Sequence, residues 1–359
     1  MATGQNIIEI TKTKTPSTRP PTSKLGFGKY FSDHMFTLEY ENGVWKNPKI
    51  SPYGPFMMEP GASVFHYGQA MFEGMKAFRA QNGKIHLFRP EFNAHRMATG
   101  AARLCMPAVP EDLFLQAVNE LVKIDSAWIP EEFGSALYLR PTLIGTESFL
   151  GVRPSEKYLF FIICSPVGAY YAESSAPVKI WIEENSVRAA LGGLGEVKAA
   201  ANYAASLQAS TLAKKKGFAQ VLWLDAVDRM TIEEVGTMNV FFYIGNEVIT
   251  PELDGTILAG ATRDCVIELL KGWNIPVVER RITINEVRNA ADNGQLKEVF
   301  GTGTAAVISA VGALANDNYT ININNGEQGA LTTRLYQEIA EIQQGRKPDS
   351  HKWVRVIET

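Results

Sequence analysis

Residues 191–203 read LGGLGEVKAAANY and place a single lysine, Lys198, between a glycine-rich loop and an alanine-rich run. Residues 199–216 are rich in strong helix formers and end in three lysines before Gly217, so we predict a helix that begins directly after Lys198. The neighbours of Lys198 are apolar, and lysine is rarely buried without a chemical reason. Burial favours the neutral amine, which attacks carbonyl groups and forms Schiff bases. From this segment alone, a solvated lysine at a helix start remains the alternative.

Two phosphate-binding motifs are excluded at this loop. A P-loop requires glycine before the lysine and serine or threonine after it, whereas Lys198 is flanked by Val197 and Ala199. A dinucleotide-binding loop requires a third glycine at the position that Lys198 occupies. The loop therefore has neither fingerprint.

Length and composition indicate a soluble globular protein. The chain has 359 residues, which predicts roughly two domains, and 45% of them are hydrophobic. A net charge of -3 without a basic stripe argues against a nucleic-acid partner. No apolar run approaches the roughly 20 residues that span a bilayer, and the first residues do not read as a secretory signal. We therefore expect no membrane partner.

The cysteines indicate neither a metal site nor a disulfide framework. The chain has 3 cysteines, which are far apart and form no C-x-x-C pair. This spacing is typical of a protein in a reducing cytoplasm, where we expect the chain to reside.

Composition predicts four segments along the chain. Residues 1–24 carry lysine, arginine, serine, threonine and proline, and read as a flexible arm, with a transit peptide as the alternative. A first domain is expected over 25–170 and a linker rich in proline, serine and tyrosine over 171–177. A second domain, larger than the first, is expected over 178–359.

Turn signals and hydrophobic periodicity predict both strands and helices in each domain. Hairpins are expected around Glu41-Asn42-Gly43 and Asn82-Gly83. Helices are expected from Pro90 and over 111–128, and buried strands over 135–141 and 157–164. In the second half, strands are expected over 179–183, 220–224 and 240–244.

Two further loops of small residues follow in the second half. Residues 258–263, LAGATR, open a predicted helix that Thr262 can cap. A helix start offers free N–H groups and the favourable end of a dipole, which suit a phosphate, although most capped helices bind nothing. The third loop, residues 301–305, reads GTGTA and follows a predicted strand.

Five stretches in this order make the chain resemble the branched-chain amino-acid aminotransferases, a family of fold-type-IV enzymes that use pyridoxal phosphate. They are FEGMKAFR at 72–79, YLRP at 138–141, residues 192–203, EVGTMN at 234–239 and FGTGTA at 300–305. The resemblance implies an α+β fold of two domains, with a smaller N-terminal α/β domain and a C-terminal domain that contains a pseudo-barrel sheet. It also implies a homodimer.

The resemblance assigns a role to each site residue. Lys198 would hold pyridoxal phosphate as a Schiff base and move the proton during transfer, and Glu234 would pair with the pyridine nitrogen. Tyr203 would bond the ring hydroxyl. The cofactor contacts that the resemblance implies are Arg96, Lys198, Tyr203, Glu234, Thr237, Leu258, Gly260, Ala261, Thr262 and Thr304. Within this set, Arg96, the N–H groups of Ala261 and Thr262, and Thr304 would hold the phosphate.

The implied substrate site combines an apolar wall with one cation. The resemblance places around the substrate Tyr67, Phe72, Tyr138, Arg140, Val152, Tyr170, Thr237, Thr304 and Ala305. Arg140 lies two residues after Tyr138 on one predicted strand, so both side chains share a face, and its guanidinium can donate to the side-chain carboxylate of glutamate. An arginine that only fixes neighbouring loops is the alternative.

The resemblance implies reversible transfer of the amino group of leucine, isoleucine or valine to 2-oxoglutarate. D-amino-acid aminotransferase and aminodeoxychorismate lyase share the fold and are the nearest alternatives; a non-catalytic binding protein is another. Some relatives carry a redox C-x-x-C after the third loop, where this chain has Ala306 and Ser309. We therefore expect no thiol regulation there.

Overall fold

A computed structural model describes residues 7–168 and 176–358, which divide between two compact units. The first unit contains the described residues up to 168 together with 199–201 and 341–358. The second contains 176–198 and 202–340. No helix within these ranges is long and apolar enough to cross a membrane.

Runs of two to four strands are separated by helices along most of the described residues, in agreement with the predicted α+β class. The strands are β1 (Glu9–Ile10), β2 (His34–Glu41), β3 (Val44–Pro52), β4 (Ala70–Phe72), β5 (Met75–Arg79), β6 (Ile85–Phe88), β7 (Ala136–Gly145), β8 (Tyr158–Val167), β9 (Val178–Glu183), β10 (Gln220–Leu224), β11 (Ile232–Val235), β12 (Asn239–Ile244), β13 (Glu247–Thr250), β14 (Val277–Glu279), β15 (Leu296–Gly303), β16 (Val307–Ala315), β17 (Thr320–Asn322) and β18 (Val354–Ile357). The α-helices are α1 (Ser63–Tyr67), α2 (Pro90–Arg103), α3 (Glu111–Ile124), α4 (Ala200–Lys215), α5 (Ala261–Gly272), α6 (Ile284–Asp292) and α7 (Ala330–Gln343). Short 3₁₀ turns lie at Thr22–Lys24, Ser126–Trp128 and Asn324–Gly326.

The first unit is built on a sheet in the order β1-β3-β2-β8-β7-β5-β6-β18, with β4 also paired to β7. Both predicted hairpin turns are present, and Asn42 and Gly43 adopt the positive φ angles of 55° and 81° that such a turn requires. β7 and β8 pair along their whole length, from Ala136 opposite Val167 to Gly145 opposite Tyr158. Leu113, Ala117 and Leu121, four residues apart on α3, are buried, because one apolar face of this helix packs into the core.

The N-terminal segment differs from the predicted flexible arm. β1 pairs in parallel with β3, and the Thr13 N–H donates to His34 Nε2 at 2.9 Å. The Ser17 N–H donates to Asp33 Oδ1 at 2.8 Å. His34 is itself fixed by Asp125, whose carboxylate lies 2.6 Å from His34 Nδ1. These hydrogen bonds hold residues 9–17 against the first sheet, and composition alone did not reveal them.

The second unit is built on a sheet in the order β11-β10-β9-β16-β15-β12-β13-β14, with β17 beside β16. The central strands are parallel at β10–β9 and β9–β16 and antiparallel at β16–β15 and β15–β12. Phe241 and Phe300, on neighbouring strands, stack with ring centroids 5.2 Å apart. The buried residues Ile180, Leu222 and Val235 belong to one apolar cluster of this unit.

The chain returns to the first unit at its C-terminal end. β18 pairs with β6, and Val354 lies opposite Phe88. Residues 341–358 therefore group with the first unit, whereas composition predicted a second domain that extends to 359. Most of the predicted linker, 171–177, lies outside the described residues. No sequence signal marked this return, because the pairing of β18 joins residues far apart in the chain.

Candidate active site

Lys198 ends the glycine-rich loop directly before α4, as predicted. Its Nζ donates to Tyr203 Oη at 2.8 Å, because the first turns of α4 bring the phenol back over the lysine. Lys198 is half-buried rather than fully enclosed. The loop can pack closely because Gly195 has no side chain: a Cβ there would overlap the Thr256 carbonyl oxygen.

Glu234 lies on β11 and is only 4% exposed. The Leu258 N–H donates to its Oε1 at 2.9 Å, and Arg188 Nε lies 3.4 Å from its Oε2. Burial raises the pKa of Glu234, while the Arg188 cation, the Leu258 amide and the Lys198 amine act in the opposite direction. Burial is the largest of these effects, so the pKa is raised overall, and the three neighbours offset part of the cost of charging the carboxylate.

One cleft in the second unit collects several of the predicted cofactor residues. It is lined by Arg188, Gly195, Val197, Asn202, Tyr203, Ser206, Glu234, Gly236, Thr237, Asn239 and Leu258. Tyr203, Glu234, Thr237 and Leu258 were predicted from the sequence and occur together here. A phenol, a buried carboxylate and a lysine bonded to the phenol can hold an aromatic ring that carries a nitrogen and an aldehyde.

The predicted phosphate-binding helix start is α5. Its N-cap is Gly260, with no side-chain cap, so the prediction that Thr262 caps the helix is wrong: Thr262 lies within the first turn and is 6% exposed. Asn239 Nδ2 donates to the Leu258 carbonyl at 2.8 Å, and a Cβ at Gly260 would overlap Asn239 Oδ1. Asn239 therefore fixes the chain before α5, whose first N–H groups have no partner within the helix.

Thr304 and Ala305 follow the end of β15. This strand borders β12, with Thr302 opposite Asn239. The third loop thus begins beside the strand that starts with Asn239, within the second unit.

Arg96, on α2 of the first unit, is held by Glu73. Its Nε and Nη2 donate to the two oxygens of Glu73, each at 2.7 Å, so the pair is bidentate. Glu73 is 0% exposed and also accepts from Asn93 Nδ2 at 2.7 Å. Glu73 therefore fixes the orientation of the Arg96 guanidinium.

Three predicted substrate residues cluster on the first sheet. The Arg140 guanidinium carbon lies 4.4 Å from the centre of the Phe72 ring, and Arg140 Nη2 donates to Tyr138 Oη at 3.0 Å. Tyr138 and Arg140 share one face of β7, as predicted from their spacing. A Cβ at Gly74, directly before β5, would overlap the Tyr138 hydroxyl, so only glycine leaves room for the tyrosine at this position.

The remaining predicted substrate residues lie elsewhere or outside the described residues. Tyr67 ends α1, is 45% exposed and bonds the Leu150 carbonyl. Val152 is 88% exposed in the loop between β7 and β8. Tyr170 falls outside the described residues.

Sequence reasoning missed four polar residues: Glu73, Arg188, Asn239 as a loop anchor, and the buried Lys76. Glu73, Lys76 and Asn239 all occur inside quoted motifs, so charged or amide side chains among apolar residues were the available signal. Arg188 precedes the glycine-rich loop and has no local signal, because its partners come from β11 and the loop before α5.

The comparisons with known proteins agree on one family. Residues 70–314 match the family model "Amino-transferase class IV". Branched-chain-amino-acid transaminase 1 of Bacillus subtilis is 48% identical over 349 residues, which cover 97% of this chain and 98% of that protein. Branched-chain-amino-acid aminotransferase 2 of the same organism is 49% identical over 351 residues, covering 98% and 96%.

Solved structures share the fold at lower identity. The branched-chain amino acid aminotransferase of Escherichia coli matches with a TM-score of 0.75 at 23% identity, covering 91% of this chain and 99% of that one. The enzyme from Thermoproteus uzoniensis, solved with norvaline, matches with a TM-score of 0.75 at 21% identity, covering 90% and 100%. Because the family model and the near-full-length relatives agree, the chain belongs to the class IV aminotransferases.

Proposed function

We propose that this protein is a branched-chain amino-acid aminotransferase that uses pyridoxal 5'-phosphate. It transfers the amino group of leucine, isoleucine or valine to 2-oxoglutarate, giving the branched 2-oxo acid and L-glutamate. The observation that carries this proposal is the cleft in which Tyr203, bonded to Lys198, lies with the buried Glu234. Near-full-length relatives with this name support the substrate class.

The residues present fit the cofactor. Glu234 is buried and ion-paired, as an acid that must face a protonated ring nitrogen should be. The start of α5 has no side-chain cap, which leaves backbone donors for a phosphate. When bound, pyridoxal phosphate supplies an aldehyde for the amine and a ring that withdraws electrons from the substrate α-carbon.

Lys198 is both nucleophile and proton carrier in this proposal. Its Nζ would hold the cofactor through the aldehyde and, once released by the substrate amine, would move a proton to and from the substrate α-carbon. Tyr203 Oη accepts from this amine at 2.8 Å, which holds Nζ in place, and the phenol would bond the ring hydroxyl of the cofactor.

Glu234 would keep the ring nitrogen protonated. Its carboxylate is fixed by the Leu258 N–H at Oε1 and by Arg188 beside Oε2. An ionised carboxylate in a buried cleft favours a cation beside it much more than it would in water. Glu234 would therefore lower the barrier to proton removal from the substrate α-carbon without itself taking part in bond making or breaking.

The phosphate would be held by backbone donors and one cation. The N–H groups of Ala261 and Thr262 open α5, and Leu258 and Gly260 shape the approach that Asn239 fixes. Thr304 would add a hydroxyl, and Arg96, oriented by Glu73, would add the charge of its guanidinium. Charge-assisted bonds to phosphate are among the strongest that side chains form.

The substrate side chain would contact apolar and aromatic residues. We assign this wall to Phe72, Tyr138, Tyr170, Thr237, Thr304 and Ala305, and we propose that Tyr67 and Val152, which are exposed in a single chain, complete it from a second copy. Such a wall suits a branched apolar group by removing it from water. Glutamate needs a cation in the same place, because an unpaired buried carboxylate is costly, and Arg140 supplies it.

We also propose that the protein is a homodimer and acts in the cytoplasm. The first unit exposes several large apolar side chains, among them Met57 at 101%, Phe65 at 58%, Leu150 at 64% and Val152 at 88%. A second copy of the chain that covers this surface would remove them from water. The absence of a C-x-x-C or paired cysteine pattern favours a reducing compartment.

The proposed function is tested by a panel of amino donors with 2-oxoglutarate, following formation of the 2-oxo acid. Leucine, isoleucine and valine should react, and their D-enantiomers should not. Activity on D-alanine would identify a D-amino-acid aminotransferase, and release of pyruvate from aminodeoxychorismate would identify the lyase. A protein that binds the cofactor without turning over any donor would be a binding protein.

A further inference from the structure

Arg188 joins three parts of the cleft that are far apart in the sequence. Its Nη2 donates to the Gly195 carbonyl at 3.3 Å and to the Thr256 carbonyl, and its Nε lies 3.4 Å from Glu234 Oε2. The side chain is only 8% exposed. One guanidinium therefore contacts the loop that ends at Lys198, the approach to α5 and the acid on β11.

The Nε–H group of Arg188 is not satisfied by this arrangement. It is buried and has no hydrogen-bond partner among the described residues, and the 3.4 Å contact with Glu234 is an ion pair rather than an aligned bond. Arg188 also lines the cleft. Leaving a buried N–H without a hydrogen bond costs free energy of folding. The two backbone carbonyls that accept from Nη2 hold the guanidinium in place despite this cost.

The charge of Arg188 is directed at Glu234. The adjacent acid, Glu233, is also buried, at 2% exposure, and feels Arg188, Asp225 and Glu234. Burial raises the pKa of Glu233 to about 7. Below that pH, Glu233 is mostly neutral, and Glu234 is the carboxylate that lies 3.4 Å from Arg188 Nε.

We propose that Arg188 is a positioning residue: it keeps the Glu234 carboxylate charged and aimed into the cleft, and ties the loop that carries Lys198 to the Thr256 carbonyl. This inference rests on the proposed function, because Glu234 matters only if a protonated ring lies against it. Arg188 acts through Glu234 and the loop rather than by contact with the substrate.

The test is a double-mutant cycle on the holoenzyme with R188M, E234Q and the combined variant. R188M keeps an unbranched stem but removes the guanidinium and its charge. We expect R188M to lower kcat by about ten- to a hundredfold with little change in the KM for leucine, because a charge-assisted contact is lost. In the E234Q background, the same substitution should cost only a few-fold, about threefold or less, since coupled residues are not additive.

R188K is the matched control, because it keeps the charge and loses the fork. It should retain more activity than R188M, and it permits the same cycle if R188M does not fold, as judged by thermal unfolding. Equal losses for R188M in the wild-type and E234Q backgrounds would overturn the proposal and leave Arg188 a structural residue.

A second readout separates this inference from the proposed function. The rate at which each holoenzyme releases pyridoxal phosphate on dialysis needs no substrate. R188M should release the cofactor faster than wild type, and this difference should shrink in the E234Q background. If wild type binds the cofactor but transaminates nothing, the proposed function fails, and the release rates still decide the role of Arg188. Identical release from wild type and R188M would contradict it.

Discussion

Lys76 and Lys198 lie in different units and in opposite environments. Lys76, on β5, is 5% exposed and lies opposite Tyr138 in the sheet register. Burial lowers its pKa to about 8. Lys198 is half-buried, and its amine donates to the Tyr203 phenol. The lysine proposed to do the chemistry is therefore the less buried of the two.

This difference shows that burial by itself does not mark a reactive lysine. Both lysines have apolar neighbours in the sequence, and Lys76 is the more deeply buried of the two. Lys198 is distinguished by its partners: a phenol within hydrogen-bond distance and a cleft that contains the buried Glu234. If these partners rather than burial make a lysine reactive, substitutions at Lys198 and around the cleft should lower activity more than a substitution at Lys76.

Replacing the two lysines should separate them most clearly. Lys198→Ala should remove covalent attachment of the cofactor and lower turnover by roughly 10²–10⁴-fold or more, because nucleophile and proton carrier are lost together. Lys76→Met, the matched control, should keep the cofactor attached. Absorbance of the bound cofactor and steady-state kinetics measure both results. Near-normal transamination by Lys198→Ala would reject the assignment.

Glu234→Gln should fold and bind pyridoxal phosphate but lose about ten- to a hundredfold in kcat. The neutral amide removes a charge-assisted bond of about 1.5–3 kcal/mol from the ring nitrogen. Single-turnover kinetics with leucine provides the measurement. Equal rates for the variant and wild type would show that the acid has no part in the chemistry.

Arg140→Met should discriminate between the two substrate classes. We expect a larger loss of kcat/KM for glutamate and 2-oxoglutarate than for leucine, because only the former bring a side-chain carboxylate that requires a cation. Arg140→Lys, which keeps a charge, should recover part of the loss. If both half-reactions fall by the same factor, Arg140 does not determine dual specificity.

Lys76→Met should change activity less than the other substitutions do, but it should change how stability depends on pH. Its folded pKa of about 8 lies below the ordinary value of 10.5, so the unfolded chain binds more protons between these limits. The stability contributed by Lys76 is present above pH 10.5 and is lost as the pH falls to 8. Denaturant titrations of wild type against Lys76→Met should show this dependence only in wild type. Parallel pH profiles would contradict the burial effect.

Local patterns predicted much of the fold. The turn at Asn42-Gly43 requires positive φ angles that few residues tolerate, so its residue types reveal it. Helices such as α3 repeat apolar residues every three to four positions, which the sequence shows directly. Sheet order and the return of β18 to the first unit depend on pairings between distant residues, which no local pattern contains. The contacts of residues 9–17 were missed for the same reason.

The candidate site was predictable where chemistry lies within a motif. Lys198, Tyr203, Glu234 and Thr237 occur in short stretches, and the structure gathers the last three around one cleft with Lys198 bonded to Tyr203. Arg188 and Glu73 were not predicted, because each acts through a partner elsewhere in the chain: Arg188 pairs with Glu234, and Glu73 with Arg96. The assignment of Thr262 as a cap failed because Gly260 occupies that position.

The central claim is that Lys198, and not the more deeply buried Lys76, binds the cofactor covalently. The direct measurement is to reduce the holoenzyme with borohydride, digest it, and locate the added pyridoxyl phosphate mass by peptide mapping. We predict the added mass on the peptide that contains Lys198 and none on the peptide that contains Lys76. The added mass on Lys76, or its absence from both peptides, would contradict the account.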